Sequence, residues 1–542
     1  ELLEESAKGH GPNPALQIKP TLRYRVWTYA DLWHQSGQVA SYLQEMGVRK
    51  GDRVLLWGPN MPQWVLAFFG ALRAGAIAVP LDVRSAPDFV TRVLESTEPR
   101  LAFISRFTSQ SVNGDIPSVH LEELDQAVAG LSPDPAELTV EPDDLAEIMF
   151  TSGTTGEPKG VMLTHRNIVS NVQAAARAFP GGASDRLLSL LPLSHMFEQT
   201  GGLLVALVLG CRIVYPTSRQ PSFIFKALRE NHISILLLVP QALQLFMNGI
   251  EREVEEKGKT GLWRTLHRIA PRLPLAARRR LFGTVHRRMG GNIRYFLSGG
   301  AYLDPNLSQK WENLGIPILQ AYGATEAAPG ITSTSLGRKV TGSVGRVLSG
   351  QEIRIAEDGE VLTRGPNVTP GYWQNEEATT AAFDGEWYRT GDLGYMDDAG
   401  YLFLKGRKKD LIVLANGQNV YPEDIENLLN AHPAIKEGVV VGLPDERSGG
   451  ETVHAVLLVE DPTVPVKEIV DTINVKLADH QRIASHAIWH EEDFPRTHTL
   501  KVRKGVVLDH QKATLAQDTE GAPAEPATGA SAPVDPLVRI IA

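Results

Sequence analysis

A chain of 542 residues is well above the size at which one hydrophobic core stops growing, so two or more domains are expected. With 42% hydrophobic and 22% charged residues it is an ordinary globular protein; its net charge of -9 argues against general nucleic-acid binding, and its single cysteine, Cys211, excludes an intrachain disulfide and suits a reducing compartment. The most apolar run, from Gly201 to Cys211, is much shorter than the roughly 20 residues that span a bilayer, so the expected setting is cytoplasmic, with membrane contact at most peripheral.

In chain order, Thr28 with Asp31 three residues later predicts an N-terminal cap on a helix carrying Leu32, Val39 and Leu43. From there to about residue 330, short apolar runs alternate with helical stretches. Val54–Trp57, Ile148–Phe150, Ile233–Val239 and Ile293–Leu297 are each followed by Gly, Pro or polar residues, which predicts buried, mainly parallel strands flanked by helices.

Within this part, Lys257–Gly290 holds ten Lys or Arg and no Asp or Glu, with Leu262, Trp263, Leu266 and Ile269 at helical spacing. It reads either as a face that docks on anionic membranes or as a solvated basic helix packed on its domain. Between residues 350 and 405, short alternating strands with Gly and Asp turns predict a small antiparallel sheet or barrel. After Arg407, strands are expected near Leu411, Val439 and Val453, and helices near Pro422–Leu429 and Val466–Leu477.

The expected architecture is therefore α/β: a large N-terminal domain of αβ layers with a small antiparallel subdomain (1–406), then a small α+β C-terminal domain (407–512). Residues 513–533, rich in Ala, Pro, Gly, Ser and Thr, are expected to be a disordered linker. In Val534–Ala542, Asp535 would cap a helix, Pro536 would take its first position, and Leu537, Ile540 and Ile541 would form an apolar stripe. That segment reads as the start of a further domain, an acyl carrier being one candidate, or as an incidental apolar tail.

The strongest motif is TSGTTGEPKG, Thr151 to Gly160, directly after the strand-like Ile148–Phe150. Three glycines and four hydroxyl residues in ten positions let the backbone approach an anion closely and line it with donors. Lys159 adds a charge suited to phosphate oxygens. The Walker pattern needs Gly-Lys-Ser/Thr, and here Pro158 precedes the lysine.

Further motifs follow in order: LPLSHMFE (Leu191–Glu198), SGGAYL (Ser298–Leu303), QAYGATE (Gln320–Glu326), RGPNVTPGYW (Arg364–Trp373), YRTGDLG (Tyr388–Gly394), GRKKDLIVLANGQNVYPEDIE (Gly406–Glu426) and PRTHTLKVRK (Pro495–Lys504). Together they resemble the AMP-forming adenylate synthetases, which include acyl-CoA synthetases, peptide-synthetase adenylation domains and firefly luciferases. LPLSHMFE is similar to the segment of long-chain fatty acyl-CoA synthetases.

The resemblance implies a reaction in two steps. A carboxylate attacks the α-phosphate of ATP, giving acyl-AMP and pyrophosphate, and CoA then takes the acyl group as a thioester. It implies that Thr151, Ser152, Gly153, Thr154, Thr155, Gly156 and Lys159 hold the β- and γ-phosphates, and that Thr151 and Glu326 bind Mg²⁺. Gly299, Gly300 and Ala301 would line the adenine pocket with Tyr322 against the ring, alongside Gln320, Gly323 and Thr325 of the neighbouring motif. Asp392 is implied as acceptor for the ribose hydroxyls, with Arg407 nearby. His195 would orient the substrate carboxylate, and Lys501 would bridge it to the α-phosphate.

The C-terminal domain of the family is mobile, with Lys409 at the hinge and Gly417 bordering the pantetheine channel. Three positions depart from the common pattern: Leu500 stands for glycine, Lys504 for arginine and Val413 for a frequent lysine. The run after Gly201 is either the wall of an acyl tunnel or a buried helix.

Two other readings are a fatty acyl-AMP ligase that loads an acyl carrier protein and a non-catalytic nucleotide-binding scaffold. The first is disfavoured by the lack of extra length between Asp392 and Lys409, where those ligases carry an insertion. The second is disfavoured by the intact Lys159, Glu326, Asp392 and Lys501.

Overall fold

The computed structural model describes residues 1–108, 116–152, 158–445, 450–459, 461, 463–496 and 502–520. Gly153, Thr154, Thr155, Gly156, Lys501 and the whole of 521–542 lie outside the described residues. The chain divides into two compact units, one of Glu1–Ile353 with Thr363–Tyr388, the other of Arg354–Leu362 with the described residues from Arg389 onward.

The larger unit contains two sheets. A six-stranded sheet runs Ser118–His120, Leu101–Ile104, Arg53–Trp57, Ile77–Leu81, Leu145–Ser152 and Pro158–Thr164. Its first five strands pair in parallel and the last pair is antiparallel. In a nine-stranded sheet, Ile318–Gly323, Tyr295–Ser298, Ile235–Leu238, Arg186–Leu188, Arg212–Tyr215 and Pro14–Ile18 are parallel, with antiparallel strands at both edges. Ile77–Leu81, Ile235–Leu238 and Tyr295–Ser298 are buried at every position, as strands covered on both faces require.

Thr28 caps helix Tyr29–Glu45 as expected. Its hydroxyl accepts from Asp31 N at 3.0 Å, Asp31 accepts from Thr28 N at 2.9 Å, and Leu32, Val39 and Leu43 are buried. Thr164 and Asn167 repeat the device at helix His165–Ala178.

In the second unit, the end of strand Trp387–Met396 pairs antiparallel with Leu402–Arg407. A three-stranded sheet, Ile435–Asp445, Gly450–Val459 and Ser485–Ile488, packs with helices Pro422–Asn430 and Val466–Asn474. Alternation along one strand sends Val440 into one apolar cluster and Val439 and Val441 into another. Helix Lys504–Glu520 runs eight residues into the expected linker, because the helix-forming KATLAQDTE precedes the first Gly-Ala-Pro breaker. Among the described residues no helix is long and apolar enough to cross a membrane.

Candidate functional site

In the larger unit the phosphate motif bridges two antiparallel strands, with Thr151 opposite Lys159 and Ser152 opposite Pro158. This register puts the lysine on the return strand, beside the threonine rather than eight residues away. The Thr151 hydroxyl donates to Lys159 O at 3.5 Å, and the Lys159 ammonium stands 5.5 Å from the Tyr372 ring centroid.

Tyr372 completes a chain to the next motif. Its hydroxyl donates to Glu326 Oε1 at 2.9 Å, and the Tyr388 hydroxyl joins the same group. Burial, with the Glu326 charge beside them, raises both phenols above their ordinary range, so they remain protonated donors. Glu326 and Thr325 occupy a tight turn, Thr325–Ala327, that follows strand Ile318–Gly323.

That turn is held from outside. Asn367 and Asn171 donate to Ala327 O at 2.7 and 3.2 Å, and Thr369 N donates to Glu326 O at 2.8 Å. Gly323 makes the turn possible, since a Cβ there would lie 1.8 Å from Pro329 O. Gln320 is fixed on the strand by Thr334, whose hydroxyl accepts from Gln320 N at 2.7 Å, and Tyr322 on the same strand is buried. Gly299, Gly300 and Ala301 follow the carboxyl end of the adjacent strand Tyr295–Ser298, whose Ser298 hydroxyl is buried with no partner. Carboxyl ends of parallel strands are where open α/β sheets bind ligands. Among the described residues no group of three His, Cys, Asp or Glu side chains is placed to hold a metal ion. A threonine hydroxyl and a carboxylate are hard-oxygen donors of the kind that suit Mg²⁺ shared with phosphates.

His195 lies apart from this chain of contacts. Its Nε2 is 3.6 Å from Oδ2 of Asp82, a residue at the carboxyl end of strand Ile77–Leu81. Asp82 also accepts from Arg84 N, Nε and Nη2 at 2.8, 3.0 and 3.1 Å. Burial alone would raise the Asp82 carboxyl, but the facing His195 ring and the bonds from Arg84 hold it well below the usual range.

Three residues on, Glu198 opens a π-helix, Glu198–Leu204, and accepts from the Ser189 hydroxyl at 2.6 Å and from the Leu191 backbone, with the Arg219 charge acting on it as well. Gln199 donates to Glu147 at 3.0 Å. Burial pushes both Glu147 and Glu198 up to about 8. The following run, Leu203–Leu207, is buried, and the apolar gap bounded by Gly201, Val205, Leu237 and Leu297 measures about 20 Å³. That space is sized for a water-scale probe, not an acyl chain.

In the second unit Asp392 and Arg407 face each other across the hairpin, Nε to Oδ1 at 2.7 Å. Lys408 binds Asp358 at 2.6 Å and Glu360 at 3.0 Å, which leaves the exposed Lys409 next to a pinned neighbour. Gly417 adopts φ +80 in a turn closed by its N–H on Leu414 O at 2.8 Å. A Cβ there would meet nothing within 4 Å, so conformation rather than crowding selects the glycine inside this unit. Lys504 keeps the cation of the usual arginine and binds Glu426 at 2.9 Å, tying the helix after Lys501 to helix Pro422–Asn430. Val413 is exposed, its N–H bonded to Glu451.

Sequence reading passed over Tyr372, Tyr388 and Asp82. The two tyrosines sit inside quoted motifs and were within reach. Asp82 gave no such signal, because its partner is more than a hundred positions away.

Residues 3–373 match the AMP-binding enzyme family, and residues 424–501 match the AMP-binding enzyme C-terminal domain. The long-chain-fatty-acid–CoA ligase FadD15 of Mycobacterium bovis is 32% identical over 77% of this chain and 76% of its own length. The long-chain-fatty-acid–CoA ligase FadD13 of Mycobacterium tuberculosis is 30% identical over 93% of this chain and 97% of its own. Among solved structures, the o-succinylbenzoate CoA synthetase of Bacillus subtilis in complex with its acyl-adenylate has a TM-score of 0.77 at 26% identity, covering 93% of this chain and 97% of that one. The same enzyme in complex with ATP and magnesium has a TM-score of 0.75 at 25% identity, covering 93% and 98%.

Proposed function

The chain belongs to the AMP-binding enzyme family, and on that premise we propose that it is an AMP-forming acid–thiol ligase that activates a fatty or related carboxylic acid with ATP and transfers the acyl group to CoA. The observation that carries this is the run Lys159–Tyr372–Glu326, in which one phenol spans the cation of the phosphate motif and the acid of the YGATE turn.

In the first half-reaction a substrate carboxylate oxygen bonds to the α-phosphorus as the bond to the β-phosphate oxygen breaks, and pyrophosphate leaves with that electron pair. Two anions must meet, so positive charge and oriented donors have to surround them. Lys159 and the backbone from Thr151 to Gly160 hold the departing phosphates. Thr151 and Glu326 hold Mg²⁺, which when bound neutralises charge on the phosphate oxygens. Gly299, Gly300, Ala301, Gln320 and Tyr322 hold the adenine, Asp392 the ribose, and His195 and Lys501 the substrate carboxylate. In the second half-reaction the CoA thiol, losing its proton, bonds to the acyl carbon and AMP leaves. The segment 407–512 turns about Lys409 between the two steps.

The test separates the steps. Lys501→Ala is expected to cut acid-dependent pyrophosphate release by at least about 100-fold, while thioester formation from supplied acyl-AMP changes little. Equal losses in both steps, with the fold intact, would remove Lys501 from its assigned role. Running the second step with CoA and with an acyl carrier protein side by side, products read by mass spectrometry, decides the acceptor.

A membrane contact through 257–290 is a second element of the reading. No residue of helix Thr260–Ile269 is buried, and Leu262, Ile269 and Leu275 are among the exposed large apolar side chains. Trp263 turns inward, its ring 5.5 Å from Phe282. Lys259, Arg264, Arg268, Arg272 and Arg280 have no carboxylate partner among the described residues. Bare cations beside exposed leucine and isoleucine suit an anionic lipid surface, where a fatty acid partitions. Co-sedimentation with phosphatidylserine vesicles at low salt, lost at high salt, is the expected result; no salt-sensitive binding rejects it.

A further inference from the structure

We infer that Asp82 is a positioning residue for His195: its buried carboxylate fixes the proton on Nε2 and turns the opposite edge of the imidazole toward the acid. This deepens the reading above and rests on His195 orienting the substrate carboxylate.

The two residues come from different sheets of the larger unit. Asp82 ends strand Ile77–Leu81 of the six-stranded sheet, and His195 lies in the segment after strand Arg186–Leu188 of the nine-stranded one. Asp82 is held too firmly to follow the ring. Three donors from Arg84 fix its carboxylate, and its carbonyl accepts from the buried Trp57 Nε1 at 3.0 Å. His195 Nε2 is buried with no hydrogen-bond partner among the described residues, and Oδ2 of Asp82 faces it at 3.6 Å.

A carboxylate only accepts, so the facing nitrogen has to carry hydrogen. An imidazole with its sole proton on Nδ1 would turn a lone pair at that oxygen. The imidazole side chain remains 27% exposed, against 3% for Asp82, so a molecule reaches the ring from the side away from the acid. Burying a fully bonded carboxylate beside a ring that has no hydrogen-bond partner among the described residues costs desolvation. The gain is a single orientation and a single protonated nitrogen.

The test uses Asp82→Asn, which keeps the shape and an oxygen for Arg84, with His195→Ala and the double variant. Adenylation is followed as acid-dependent ATP–pyrophosphate exchange. His195→Ala is expected to lose about 100-fold in kcat/KM for the acid. Asp82→Asn is expected to lose about tenfold, in kcat more than in KM for ATP, and the double variant to match His195→Ala alone. In ¹⁵N spectra of histidine-labelled protein, the His195 signal is expected as Nε2–H in the wild type and as a mixture of tautomers in Asp82→Asn. Multiplied losses in the double variant, or an unchanged tautomer, overturn the proposal while leaving His195 its role. No loss in His195→Ala removes the role of His195 itself and the proposal with it. Should Asp82→Asn not fold, Asp82→Glu, which displaces the charge by one methylene, takes its place in the same cycle.

Discussion

Asp82 and the pair Glu147 and Glu198 are similarly buried in the same unit, at 5%, 0% and 0% exposure, yet their carboxyl groups move in opposite directions. The neighbours decide. Asp82 has a guanidinium bound through two nitrogens and an imidazole facing it, whereas Glu147 has an amide and Glu198 a hydroxyl and a backbone amide, with Arg219 acting on Glu198 by charge alone. Neutral donors do not offset the desolvation of a charge, so the two glutamates keep their protons near neutral pH and serve as neutral spacers under the π-helix. The acid beside His195 is the one the fold keeps ionised. Depth alone therefore does not separate a packing carboxyl from one that works on a reacting group.

The largest expected effect breaks the charged member. Asp82→Ala leaves Arg84 without its counter-charge and should cost about 3 kcal/mol of stability, read from the denaturation midpoint. Glu198→Gln at neutral pH should cost nothing and, because it removes a carboxyl whose contribution has largely faded there, should raise the midpoint. Equal losses in the two variants would show that cations do not distinguish these acids.

The next effect is a slope. A glutamate raised from 4.5 to about 8 in the folded chain binds its proton there while the unfolded chain has released it. Its stabilising contribution is complete below pH 4.5, falls as pH rises, and is gone above about 8. Each acid should impose about 1.4 kcal/mol per pH unit across that window. Glu147→Gln and Glu198→Gln should each remove one such slope in urea denaturation between pH 5 and 8; a slope unchanged by both would refute the assignment. Asp82 acts with the opposite sign, and its contribution fades only on acidification below the ordinary aspartate value of 3.8.

Glu360 in the second unit sharpens the contrast. Its carboxylate is buried, but Arg389 and Lys408, which bind it at 2.7 and 3.0 Å, keep about two-fifths of their own surface in water. Burial raises its carboxyl, and those two cations bring it below the usual range. Because the cations rehydrate when it is lost, Glu360→Gln should cost about 1 kcal/mol, and less at high salt.

The sequence carried the elements whose signal is local. The Thr28–Asp31 box and the apolar runs that became parallel strands follow from neighbours in the chain, whereas the register that sets Lys159 opposite Thr151 did not show in the motif. Contacts between distant segments were not readable in this way. The Asp82–His195 pair needs two sheets to meet, and the bridge from Lys159 to Glu326 runs through Tyr372, two hundred positions from the phosphate motif. The apolar run after Gly201 was equally compatible with a tunnel wall and a packed helix. Periodicity records that a face is covered but not by what, and only the narrow gap beside Val205 and Leu297 shows how closely its neighbours pack.

The smallest expected effect involves no charge. Gly417→Ala forces a left-handed backbone, φ +80, on a residue with a Cβ, in a place where that Cβ has open space. The cost should be about 1 kcal/mol, and Gly417→Asn, which tolerates this conformation, should recover most of it. Since no ionisable group changes, the loss is the same at pH 5 and pH 8, which supplies the neutral standard for the glutamate slopes. The pair of variants also separates two roles for the glycine. If a side chain at 417 obstructs the thiol, Ala and Asn both slow thioester formation from supplied acyl-AMP and leave pyrophosphate release alone. If backbone strain is the whole effect, Asn restores the thioester step together with the stability.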